Sequence, residues 1–181
     1  MAVLFHASIS FYLKEKITMK MNLEKLKIRM IGIRPIMFDK YSGSNKTELT
    51  ASQKLYFLKD GKTVGLPAEN IYSFLGAQNS TSVSKCFYGR RWREYSMAVN
   101  SFVLLDEMIY PFLKNKKPIL FNGFNSEGID TSSGIFIDRR VPRLKGGVPN
   151  PKDRPVIPLP WELHVGLSII SNDIITKDVL I

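Results

Sequence analysis

Leu26, Ile28 and Met30 alternate with Lys25, Lys27 and Arg29, the period of a half-buried strand over residues 25–33 with a basic outer face. Gly32 and Pro35 punctuate its end, and residues 38–50, with Tyr41, Ser42, Gly43, Ser44 and Asn45, read as a mobile surface loop. Asp60 and Gly61 lie between Tyr56, Phe57, Leu58 and Thr63, Val64, which predicts a tight hairpin because its turn needs positive φ. Pro67 then suits a first helical turn, Glu69 the positive helix end, and Ile71, Tyr72, Phe74 and Leu75 recur at helical spacing, so a helix is predicted over residues 67–77. Residues 95–105 are apolar at both periods, and Val99, Phe102 and Val103 tilt them toward strand.

Further along, residues 117–121 read as a short strand, 122–134 as a polar surface loop, and 135–144 as a strand that turns basic. Residues 146–155 hold the glycines and prolines of an exposed, partly extended loop that cannot be helix. The clearest alternation is at 161–169, with Trp161, Leu163, Val165, Leu167 and Ile169 on one face and Glu162, His164 and Ser168 on the other. Asn172 or Asp173 can cap a closing helix through Ile174, Ile175 and Val179. This order predicts an α+β protein with a ferredoxin-like or RRM-like antiparallel sheet, helices on one face, long loop insertions and a missing C-terminal strand. Residues 1–20 read as a loose N-terminal arm and 21–181 as a single domain, without repeats or heptads.

The 181 residues, 44% hydrophobic and 23% charged, suffice for one packed core. Lys and Arg number 26 against 16 Asp and Glu, a formal charge of +10 that makes polyanions the natural partners. Cys86 is the only cysteine, which excludes an internal disulfide and a thiolate zinc cage and fits a reducing, cytoplasmic setting. The apolar stretch at 2–13 is broken by His6, Ser8 and Ser10, a poor secretory signal and too short to span a bilayer, so no membrane partner is expected.

No nucleophile elbow accompanies any serine, so a Ser-His-acid triad has no support. His164 lies beside Glu162 at same-face spacing, which suits an acid/base pair or simply a solvated polar face. Nothing brings His6 to His164, Asp130 and Asp138 would meet a metal only by accident of folding, and Gly123, Gly128 and Gly134 do not form a dinucleotide fingerprint; neither metal nor cofactor is expected. Basic residues form a more coherent pattern. Lys85, Arg90, Arg91 and Arg93 surround Phe87, Tyr88 and Trp92 in a candidate contact loop, giving cations for phosphates and rings for unpaired bases; the other reading makes the rings core. Arg139, Arg140, Arg143, Lys145, Lys152 and Arg154 form a second cluster, with Gly146 and Gly147 permitting close approach of a phosphate. Three phosphate contacts at each cluster would give a slope of log affinity against log salt of about −4, from roughly 0.7 per contact.

The strand Ile28-Arg29-Met30-Ile31-Gly32-Ile33-Arg34-Pro35, followed by a polar loop and by Gly65-Leu66-Pro67-Ala68-Glu69-Asn70-Ile71 entering a helix, resembles the repeat-associated RNA-binding superfamily. Its members include backbone subunits of CRISPR effector complexes, which serve antiviral defence. The resemblance spans residues 26–75 and, more loosely, 139–170. It implies a ferredoxin-like core decorated by loops and RNA binding without cleavage, since no residue matches the catalytic histidine of cleaving members. The family's glycine-rich segment and last core strand have no counterpart after Ile170. The leading expectation is a non-enzymatic subunit of a homo- or hetero-oligomer that binds single-stranded nucleic acid, RNA over DNA. Two alternatives stand beside it: a structural protein of a virus or mobile element, and a small metal-dependent nuclease using some of Asp130, Asp138, Glu162 and His164.

Overall fold

The computed structural model describes residues 22–44, 47–76, 85, 88–143, 146–147 and 149–180. The expected arm at 1–20, Cys86, Phe87 and Lys145 lie outside these residues. In chain order the elements are β1 (Leu23–Ile31), β2 (Ile36–Met37), a 3-10 turn (Ser52–Lys54), β3 (Gly65–Pro67), α1 (Ala68–Gly76) and a second 3-10 turn (Gly89–Arg91). These are followed by α2 (Trp92–Phe102), β4 (Val103–Leu105), β5 (Ile109–Pro111), β6 (Leu113–Lys114), β7 (Lys117–Pro118), β8 (Phe136–Arg140), β9 (Lys152–Ile157), β10 (Glu162–Ile170) and α3 (Lys177–Leu180). The class is α+β, with antiparallel sheets and few helices.

A five-stranded sheet is built around β10, with β1 along one side, β4 and β6 along the other and β7 beyond β6. A three-stranded sheet places β9 between β2 and β8, and β3 pairs with β5. The two-residue period of β1 and β10 positions the core. Leu26 lies opposite Leu167 and Ile28 opposite Val165, and Leu163, Val165, Leu167 and Ile169 are at most 2% exposed. Ala68 and Ile71 of α1 join Leu163 and Val165 in one cluster, while Ala98 and Val99 of α2 join Leu26, Leu167 and Ile169 in another. Ile28, Leu75 and Leu105 flank both clusters. Each such aliphatic side chain contributes about 1.5–3 kcal/mol, which makes this face the chief source of stability.

The expected hairpin forms. Phe57 bridges Val64, Gly61 takes φ +68°, and Asp60 Oδ1 accepts the N–H groups of Lys62 and Thr63. The expected helix at 67–77 is α1, entered from a strand that ends at Pro67.

Residues 95–105 correct the strand expectation. They are helical to Phe102, and only Val103–Leu105 pair with β10. Ser96 and Val99 fall on one helical face, and the Ser96 hydroxyl donates to the Gly76 carbonyl. A Cβ at Gly76 would stand 3.3 Å from both Val99 and the Ser96 carbonyl, so glycine lets the helices approach and tertiary packing overrides β propensity. The contact loop is likewise corrected: Tyr88 is helical, Gly89–Arg91 is a 3-10 turn and Trp92 opens α2.

The loop expected at 146–155 becomes strand from Lys152 onward, and Pro155 is buried within β9. Its absent N–H faces Phe38, just past the short β2 ladder, so the sheet loses little. The strand expected at 117–121 is regular only at Lys117–Pro118. The closing helix starts at Lys177 rather than after Asn172, whose Oδ1 instead accepts the N–H groups of Ile174 and Ile175 in a preceding turn.

Candidate nucleic-acid interface

The first basic cluster is organised by the entry into α2. Trp92 is half-buried; Lys85 Nζ lies 4.3 Å from its ring centroid and Arg93 Cζ 5.3 Å. Tyr88 stacks on Tyr95 with centroids 4.3 Å apart and planes 9° from parallel, and Arg91 Cζ sits 5.4 Å from the Tyr95 ring. Burial, and secondarily the neighbouring Tyr95, push the Tyr88 phenol above its ordinary range. Arg91 is committed to Glu94 through two hydrogen bonds of 2.8 and 2.6 Å, which hold that carboxyl below its usual range. Lys85, Arg90 and Arg93 have no carboxylate partner among the described residues, and both arginines are exposed.

The second cluster is in another electrostatic state. Arg139 makes a two-pronged pair with Asp153, both bonds 2.7 Å, and these two residues are register partners across β8 and β9. Arg140 Nε lies 2.7 Å from Asp138 Oδ2, an ion pair without the alignment of a hydrogen bond. Arg154 bonds to Asp39 at 2.9 Å, and Lys152 reaches the same carboxylate at 3.5 Å. Arg143 is exposed and bridges Pro149 through its backbone.

Behind this face lies Lys54, 1% exposed, whose ammonium contacts Glu48, lies 3.5 Å from Asp39 and donates to the Asp153 carbonyl at 2.9 Å. Asp39 and Glu48 come from the surface loop at 38–50, which supplies acids that neutralise this basic face. Burial by itself would raise the Asp39 carboxyl, but the Arg154 hydrogen bond and the charges of Arg154, Lys152 and Lys54 outweigh it and hold the group low. The Arg139 hydrogen bond holds the Asp153 carboxyl low against a smaller opposing effect of burial.

The two clusters have different neighbours: α2 packs on α1 and β4, whereas β9 packs on β8, β2 and the Ser52–Lys54 turn.

Sequence reasoning missed Lys54, which reads as an ordinary surface lysine in a polar turn. The outer face of β1, with Lys25, Lys27 and Arg29 exposed, had a visible signal in its alternation. There Arg29 pairs at 2.5 Å with Glu162, which is only 7% exposed, and His164 Nε2 stands 3.8 Å from the same carboxylate. Asp130 is occupied structurally, accepting from the N–H groups of Asn122 and Ser132 and from the Ser132 hydroxyl. Among the described residues no three His, Cys, Asp or Glu side chains gather closely enough to hold a metal ion. Nor, among them, is any helix long and apolar enough to cross a membrane. No protein-family model, curated protein or solved structure matches the chain.

Proposed function

We propose that this protein binds single-stranded nucleic acid, RNA in preference to DNA, as a non-catalytic subunit of a larger assembly, and that the entry into α2 makes the contact. The observation that carries this reading is the set of cations without a carboxylate partner among the described residues: Lys85 and Arg93 over the ring of a half-buried Trp92, and the exposed Arg90 in the turn before it. A cation over an exposed ring contributes about 0.5–1 kcal/mol. A stacked base contributes about 1–3 kcal/mol, so a base displaces Lys85 or Arg93 from Trp92 and frees it for a phosphate.

The preference for RNA and a setting such as the cytoplasm follow from the resemblance to the repeat-associated superfamily and from the single cysteine. An antiparallel sheet is common to ferredoxin-like and many other α+β folds, and every ladder among the described residues is antiparallel. The proposal therefore rests on the charge at α2 and not on that arrangement.

Titration of fluorescently labelled single-stranded RNA and DNA at several salt concentrations tests it. Three contacts give a slope of about −2, half the value expected had both clusters been free. Absent or salt-independent binding removes the proposal.

A further inference from the structure

We propose that β1 is a docking edge for an extended, acidic strand of a partner protein, which adds to the five-stranded sheet beside it. Among the described residues β1 pairs only with β10, so it forms the border of that sheet. Its hydrogen-bond phase is fixed at both ends: the Ser171 N–H donates to the Asn22 carbonyl at 3.0 Å, and the Gly32 N–H donates to the Trp161 carbonyl at 2.8 Å. With Leu23 opposite Ile170, this phase turns the backbone of Glu24, Leu26, Ile28 and Met30 toward β10. The N–H and C=O groups of Leu23, Lys25, Lys27, Arg29 and Ile31 therefore point to the open side. Nine residues make a long edge to leave bare.

The side chains define what fits. Ile28 and Met30, on the core face, are only half-buried, so an added strand would finish their burial. On the outer face Leu23, 45% exposed, and Ile31, 61% exposed, bracket Lys25, Lys27 and Arg29. Arg29 is already neutralised by Glu162, whereas Lys25 and Lys27 have no ion-pair partner among the described residues. A second copy of β1 added antiparallel would set lysine against lysine, which is unfavourable. A strand with carboxylates opposite the lysines and apolar groups opposite Leu23 and Ile31 matches both features. Edge lysines ordinarily keep strands apart; here they also set the rule of admission, rejecting basic strands and accepting acidic ones. This inference does not depend on nucleic-acid binding at α2.

The test uses the full chain and two blocked peptides of nine residues, the length of β1. One has leucine ends and alternates valine with glutamate; the other has lysine for glutamate. An oligouridylate is the third probe, and amide exchange followed by NMR is the readout. The glutamate peptide is expected to slow exchange at Lys25, Lys27 and Arg29, alternating with little change at Leu26 and Ile28, and the lysine peptide to do nothing. The double substitution Lys25→Glu with Lys27→Glu should weaken the glutamate peptide about tenfold and admit the lysine peptide. No protection, equal protection by both peptides, or protection by oligouridylate in place of the peptide overturns the inference. Oligouridylate binding that leaves the β1 amides unchanged supports separate sites.

Discussion

The turn leading into α2 and the ladder of β8 with β9 are both rich in cationic side chains, and they differ in what folds against them. Arg139, Arg140, Lys152 and Arg154 each meet a carboxylate, from Asp153, Asp138 or Asp39. Near α2, among the described residues, only Arg91 does; Lys85 and Arg93 lie over an indole and Arg90 is exposed. The formal charge of +10 is therefore unevenly available. Unpaired cations can neutralise phosphates and release the counterions condensed on a polyanion, whereas at β8 and β9 the polyanion must first compete with fixed internal carboxylates. Runs of basic residues in a sequence report how many charges there are, and only the fold reports how many remain free.

Removing the acids that hold Lys54 breaks the comparison most severely. In the double substitution Asp39→Asn with Glu48→Gln the buried ammonium keeps only the Asp153 carbonyl, and the expected loss in urea unfolding is about 3 kcal/mol. Lys54→Met, which removes the charge while keeping the volume, should cost less than about 1.5 kcal/mol. Equal losses would mean that the ammonium is solvated after all. At the other region, replacing Lys85, Arg90 and Arg93 together by alanine should lower affinity for single-stranded RNA about a hundredfold in 0.1 M salt and flatten the salt slope. Replacing Arg139 and Arg140 by alanine should leave affinity within about twofold, because those cations are already paired.

Local patterns made the scaffold legible. Strand β1, strand β10, the Asp60-Gly61 hairpin and α1 each follow from spacing within a few residues. Helix α2 did not, because Val99 and Phe102 suit either period and the decision comes from the close approach of Gly76 to Ser96, 20 residues away. The charge state of the basic clusters was less legible still. Arg154 finds Asp39 across 115 positions of sequence, and Arg139 finds Asp153 only once the register of β8 on β9 is set. Trp92 reads as core or as contact from the sequence, and the structure leaves it half-buried between cations.

A smaller change should make one region imitate the other. Asp153→Asn keeps the shape of the side chain but removes the charge that occupies Arg139. Freed, that guanidinium should add one phosphate contact, which steepens the salt slope by about 0.7 and raises affinity about fivefold in 0.1 M salt. An unchanged slope would place the β8–β9 face out of reach of a strand held at α2.

Acid should do the same by titration, and with the smallest yield because the fold weakens at the same time. The Asp39 and Asp153 carboxyls lie below their ordinary value of 3.8 in the folded chain. A depressed carboxyl contributes stability that is fully present above its unfolded value and is lost as pH falls through its folded value. The melting temperature should thus be insensitive to these two groups above about pH 5 and should decline below about pH 4. Phosphodiesters stay ionised in that range, and arginine stays charged, so protonation of the two carboxyls releases Arg139 and Arg154 to the solvent. The salt slope, measured far enough below the ordinary carboxyl value of 3.8 to protonate both groups and on protein that retains its far-UV spectrum, should then exceed its neutral-pH value. A slope that did not move under those conditions would mean that something other than Asp39 and Asp153 keeps the β8–β9 face silent.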